Sequence, residues 1–90
     1  MVFKRNKIEI IYDILNAIKE KNNKIKITHI LFKANLSHIK LKEYLKDLEE
    51  KNLIEIYYEK KQKYFRLSEL GEEYRLKLKQ MKKFIETFEI

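Results

Sequence analysis

Asn35-Leu36-Ser37-His38-Ile39-Lys40-Leu41-Lys42-Glu43-Tyr44-Leu45-Lys46-Asp47-Leu48-Glu49-Glu50-Lys51-Asn52-Leu53 is the stretch on which the reading of this chain turns. It opens on a break and a start signal. Asn35 tolerates the left-handed backbone of a tight turn, and the Ser37 hydroxyl suits the cap of a following helix. Leu41, Tyr44, Leu45 and Leu48 then recur at helical spacing and form one apolar stripe. Asn52 stands where a helix ends in left-handed conformation, with Leu53 as the hydrophobic residue beyond it. If the leucines face inward, Ile39, Lys42, Glu43 and Lys46 project outward together. A helix entered through a tight turn and carrying such a face has the form of a DNA-reading helix. An ordinary core helix with a solvated charged face has the same pattern, so the flanking elements must decide.

Upstream, Met1 to Arg5 is aperiodic and reads as an arm carrying Lys4 and Arg5. Asn6 and Glu9 have capping-box spacing, and Ile8, Ile11, Ile14, Leu15 and Ile18 predict one buried helical face, ended by Asn22-Asn23. Ile25 and Ile27 alternate with lysines as in a very short strand. Thr28 is the expected cap of a second helix, His29 to Ala34, packed through Ile30, Leu31 and Ala34. Downstream, residues 53–59 and 63–67 are dense in β-branched and aromatic residues and predict a hairpin with Lys60-Lys61-Gln62 at its tip. With neither Gly nor Asn there, a loop wider than two residues is expected. Phe65 and Leu67 form its core face, Tyr64 and Arg66 the other. Ser68 caps a last helix that runs to near Ile90. Gly71, the only glycine, lies in the first turn of this helix despite a cost of about 1 kcal/mol, which marks a close backbone approach. Tyr74, Leu78, Met81, Ile85 and Phe88 make a heptad seam, with Leu76 and Phe84 off it; a partner chain is the simplest cover.

Composition narrows the function. Ninety residues make one domain, cysteine is absent, and no apolar run approaches a membrane span. A cytoplasmic protein, associated with the nucleoid, is expected. No glycine-rich phosphate loop, nucleophile motif or paired carboxylates points to an enzyme, and no cofactor, metal or small-molecule ligand is indicated. With 21 Lys+Arg against 14 Asp+Glu the net charge is +7. The excess is uneven: residues 1–35 carry +5, 36–52 zero, 53–67 +2 and 68–90 zero. A polyanionic partner fits, and the affinity should come from the arm and hairpin rather than from the neutral central helix.

Helix, short strand, helix, turn, helix, basic hairpin and long helix add up to a winged helix-turn-helix, mainly α with a small β-hairpin. The expected division is 1–67 for the DNA-binding domain and 68–90 for a dimerisation helix. The sequence resembles the small archaeal winged-helix DNA-binding proteins, in particular the "ten-a" chromatin protein family of Sulfolobus. The resemblance lies in Lys7-Ile8-Glu9-Ile10-Ile11, Asp13-Ile14-Leu15, Phe32-Lys33-Ala34-Asn35-Leu36-Ser37, Leu41-Lys42-Glu43-Tyr44-Leu45, Lys51-Asn52-Leu53-Ile54 and Leu67-Ser68-Glu69-Leu70-Gly71. It covers nearly the whole chain and implies a homodimer joined by an antiparallel coiled coil of the last helix, acting in chromosome coating or local regulation. Asn52 stands where that family usually has glycine, and Ile39 where it tends to be polar.

The expected DNA contacts are Lys4, Arg5, Lys7, Lys33, Ser37, His38, Ile39, Lys42, Lys46, Lys60, Lys61 and Lys63, and the expected dimer contacts are Tyr74, Leu78, Met81, Ile85 and Phe88. His29 and the six tyrosines are assigned no special task. The leading expectation is a dimeric regulator on double-stranded DNA. A low-specificity architectural binder is the alternative, and a protein–protein module without nucleic acid stays open because the central helix is neutral.

Overall fold

The computed structural model describes residues 5–88. Its elements are α1 (Lys7–Glu20), α2 (Ile27–Ala34), α3 (His38–Glu50), β1 (Ile54–Glu59), β2 (Gln62–Leu67) and α4 (Glu69–Phe88). Side-chain caps set several helix ends. Asn6 Oδ1 accepts from Glu9 N at 2.8 Å while Glu9 Oε1 accepts from Asn6 N at 3.4 Å, a complete capping box for α1. Asn22 and Asn23 are left-handed, with φ of 55° and 60°, and Asn23 N donates to Ile18 O at 3.0 Å. Asn52 (φ 60°) and Leu53 repeat this closure on α3, where Leu53 N donates to Leu48 O at 2.9 Å.

Two local expectations need correction. α2 starts at Ile27 with Lys26 as its cap residue, so Thr28 lies inside the helix and caps nothing. The strand ends at Ile25, whose N–H and C=O both bond to Phe65, at 3.4 and 2.9 Å. The chain must then turn into a helix at once to bury Ile30 and Ala34. The hairpin loop is also tighter than expected. Glu59 pairs with Gln62, leaving only Lys60 and Lys61 between the strands, both left-handed at φ 51° and 65°. Two positive φ values in a two-residue loop define a type I′ turn, whose twist matches that of paired strands. Strand pairing overrides the residue preference.

One core joins all the helices and the hairpin: Ile11, Ile14, Leu15 and Ile18 of α1, Ile30 and Ala34 of α2, Leu41, Leu45 and Leu48 of α3, Ile54, Phe65 and Leu67 of the sheet, and Leu78 of α4. Ile8, expected among them, is half exposed because it lies in the first turn of α1, past the end of the core, beside Ile85.

α4 runs antiparallel to α1, as its cross-contacts show in order. Glu72 lies 3.6 Å from Lys19, Arg75 bonds Asn16 at 3.2 Å, and the Lys82 ammonium sits 5.2 Å from the centre of the Tyr12 ring. Arg75 is buried yet satisfied: its guanidinium donates to both carboxylate oxygens of Glu72, at 2.9 and 2.8 Å. Gly71 explains the glycine in the first turn, because a Cβ there would lie 1.9 Å from the Leu53 carbonyl oxygen. The first turns of α4 are thus packed into the same unit as residues 5–67.

Leu78, placed on the dimer seam by its spacing, is only 5% exposed and belongs to this core. The apolar stripe left in solvent runs alongside it through Leu70, Tyr74, Met81, Phe84, Ile85 and Phe88, and its Met81 and Ile85 share a groove with Leu78, Ile8 and Tyr12. The Phe84 and Phe88 rings on it stand 4.7 Å apart.

Candidate nucleic-acid interface

The groove between α3 and the hairpin is built from α3 upward. Ser37 Oγ accepts from Lys40 N at 3.2 Å and starts the helix, and Leu41, Leu45 and Leu48 then fix its rotation. His38, Ile39, Lys42, Glu43 and Lys46 are all exposed, Ile39 at 73%. On β2, alternation puts Lys63 on the same face as Phe65, and its ammonium sits 5.5 Å from the centre of that ring. Lys42, Lys46 and Lys63 consequently line one groove of about 240 Å³, together with Glu49, Ile56 and Phe65. Lys60 and Lys61 stand at the exposed tip of the same hairpin.

Charge pairing sharpens this arrangement. Asp47 accepts from Lys51 at 2.9 Å and Glu59 from Lys24 at 3.1 Å, and those hydrogen bonds raise both lysines above their ordinary pKa. Glu43 lies 3.9 Å from Lys40, and Glu55 accepts from Arg66 at 3.0 Å. Four nearby carboxylates, Glu43, Asp47, Glu55 and Glu59, are therefore taken by other cations, whereas Glu49, which lines the groove itself, is in none of the ion pairs among the described residues. Among the described residues, Lys42, Lys46, Lys60, Lys61 and Lys63 form no ion pair. The zero net charge of α3 hides a positive face.

Other expected contacts are not gathered there. Lys4 lies outside the described residues. Lys7 lines a separate groove with Lys40, Glu43 and Asp47, and Lys33 lies beside Asp13, Asn16 and Glu20 of α1. Arg5, expected on phosphate, instead donates to Asp13 Oδ2 at 2.5 Å and to the carbonyl oxygens of Ala34 and Asn35. Tyr58 was missed. It is exposed, opposite Lys63 in register and on the face shared by Ile54 and Ile56, so strand alternation carried the signal. The other face of the hairpin is braced: Tyr57 and Tyr64 stack at 5.6 Å, Arg66 lies 4.8 Å from the Tyr57 ring, and Lys24 lies 5.1 Å from Tyr64.

Comparison with known families places this geometry. The family described as winged helix-turn-helix matches residues 4–86. The chain belongs to the winged helix-turn-helix family. No curated protein sequence matches it. Among solved structures, this winged helix is similar to Sso10a-2, a DNA-binding protein from Sulfolobus solfataricus, at 25% identity and a TM-score of 0.82, over 92% of this chain and 84% of that one. It is also similar to AF1382 from Archaeoglobus fulgidus, at 23% identity and a TM-score of 0.66 over 94% and 92% of the two chains. SSV1 F-93 shares the fold at 19% identity and a TM-score of 0.68, over 88% and 92%. Within the described residues of this winged helix, no helix is long and apolar enough to cross a membrane.

Proposed function

We propose that this winged helix is a homodimeric, double-stranded-DNA-binding transcription regulator. The observation that carries the reading is the groove in which Lys42, Lys46 and Lys63 stand unpaired, flanked by the lysine tip of the wing. α3 enters the major groove, where Lys42 and Lys46 donate to guanine O6 and N7 and Ile39 packs on a thymine methyl. Lys60, Lys61 and Lys63 hold phosphates beside it. The likeness to Sso10a-2, itself a DNA-binding protein, supports the same reading.

The second copy docks on Leu70, Tyr74, Met81, Phe84, Ile85 and Phe88, a stripe too apolar to stay in water on a stable monomer. The helices pair antiparallel. Positions 70, 74, 77, 81, 84 and 88 follow a 4-3-4-3-4 spacing that is symmetric about residue 79, which sets Leu70 against Phe88 and Tyr74 against Phe84. Two DNA-binding units are thereby joined at fixed spacing, as a two-part DNA site requires.

The test is selection of bound fragments from genomic DNA, followed by titration of the recovered site and of random duplex. A regulator returns a preferred site, and Lys42→Ala with Lys46→Ala removes the preference, at about 1–3 kcal/mol per lost base contact. Uniform weakening on all DNA would instead indicate an architectural binder. The absence of salt-sensitive binding would leave a protein–protein module.

A further inference from the structure

Arg5 is separated by 30 residues in sequence from the turn it holds. Its guanidinium spans three groups: Asp13 Oδ2 on α1 at 2.5 Å, the Ala34 carbonyl oxygen, and the Asn35 carbonyl oxygen at 3.2 Å. The two carbonyls end α2, where unpaired oxygens and the negative end of the helix dipole gather. Asn35 is the left-handed residue, φ 52°, from which the chain turns through Leu36 into the Ser37 cap. Its carbonyl leads directly into the segment that sets the entry of α3. A planar guanidinium can join a carboxylate and two carbonyls at once, whereas an ammonium, a point charge on a flexible stem, has no such fixed fork.

We infer that Arg5 is a positioning residue for DNA recognition, locking the turn before α3 to α1 rather than touching phosphate; the inference rests on the DNA-binding reading above. Asp13 is the other half of the clamp. Without Arg5, its carboxylate faces the carbonyl end of α2 with no guanidinium joining them, and the neighbouring Lys33 ammonium has no fork to bridge both. Without Asp13, the guanidinium loses the partner that ties it to α1. Loss of either loosens α3 in the same way.

The test is fluorescence anisotropy of a labelled DNA duplex over a range of salt concentrations. It compares the wild type with Arg5→Lys, Arg5→Gln, Asp13→Asn and the Arg5→Gln/Asp13→Asn double variant, all at a temperature where thermal melts show each fully folded. A clamp predicts that every variant weakens binding by a similar factor, about 10-fold. The slope of log K against log salt stays at the wild-type value, and the double variant is no worse than either single one. A phosphate contact predicts the reverse in three places. Arg5→Lys then binds as wild type, Arg5→Gln lowers the slope by about 0.9, and Asp13→Asn binds more tightly because a negative charge is removed. Any of those results overturns the inference, as does unchanged affinity in variants that are merely less stable. Amide exchange at Leu36 to Lys40 gives a readout independent of DNA. Faster exchange in all the variants supports the clamp, and wild-type rates overturn it. If the wild type shows no salt-dependent binding, the DNA-binding reading falls by itself and exchange alone decides the clamp.

Discussion

Replacing Lys60 with Asn and Lys61 with Gly should make the protein more stable and a weaker DNA binder at once. Both lysines are held at positive φ, 51° and 65°, in a two-residue turn. A left-handed backbone costs an ordinary L-residue roughly 1–2 kcal/mol, and Asn-Gly is the pair that relieves this in a type I′ turn. Part of the relief is offset by the extra freedom glycine gives the unfolded chain, about 0.5–1 kcal/mol. The net gain should be about 1–2 kcal/mol. For a chain of this size that raises Tm by roughly 4–16 °C, readable by thermal circular dichroism. The same change removes two charges from the wing tip. If both meet phosphates, the slope of log K against log salt should fall by about 1.8 in magnitude. Lys60→Gln with Lys61→Gln is the control: it should lower the slope equally without raising Tm. A destabilised Asn-Gly variant would refute the turn geometry. A stabilised variant with an unchanged slope would refute the contact between the tip and DNA.

Gly71→Ala should destabilise the fold although alanine is the better helix former by about 1 kcal/mol, because the new Cβ would stand 1.9 Å from the Leu53 carbonyl oxygen. Since that oxygen also accepts from Ser68 N at 3.1 Å, overpacking of about 2–3 kcal/mol should win, and a raised denaturation midpoint would contradict the contact. Phe84→Lys with Leu70→Lys should give folded monomers in sedimentation, since both side chains are exposed, whereas Leu78→Ala should cost about 2–5 kcal/mol of stability. A dimeric Phe84/Leu70 variant would place the interface elsewhere. Glu72→Gln leaves buried Arg75 without its carboxylate and should cost about 2 kcal/mol at pH 7, at the low end because Glu72 is partly solvated. The hydrogen bond from Arg75 lowers the Glu72 pKa below its ordinary 4.5. The contribution is therefore complete above that pH and fades as pH falls through the depressed value. The variant's melting temperature should accordingly drop less than the wild type's on acidification below about pH 4.5, and parallel acid profiles would count against the pairing.

What the sequence could disclose follows the range of the interactions involved. Asn6, Asn22, Asn23, Asn35, Ser37 and Asn52 mark helix ends because each satisfies backbone groups within a few residues of itself. The twofold alternation of the hairpin likewise fixed Phe65 and Leu67 inward. Phase along α4 was harder. Leu78 sits at heptad spacing from Tyr74 and Ile85, but so does Phe84 from Leu70 and Phe88 through Lys77. Periodicity describes a stripe without saying which neighbour covers it, and α1 lying antiparallel alongside decides that Leu78 is core. The cations were harder still. Arg5 to Asp13, Lys24 to Glu59 and Arg66 to Glu55 are tertiary or cross-strand pairs, so no local pattern separates a lysine whose charge is spoken for from one that is free.

That separation is what gives the groove its meaning. In a chain this rich in lysine, exposure alone says little about any one of them. Here the carboxylates flanking α3 and the wing are mostly engaged by Lys24, Lys40, Lys51 and Arg66, while Lys42, Lys46 and Lys63 converge unpaired on one concave strip. Like charges gathered in this way repel one another, and the two lysines at the tip add backbone strain that Asn-Gly would remove. An exposed Ile39 beside them offers folding nothing in return. Departures from local preference that cluster on one face are best accounted for by a partner that rewards them together. A polyanion with apolar features in a groove, such as duplex DNA with its phosphates and thymine methyls, is such a partner.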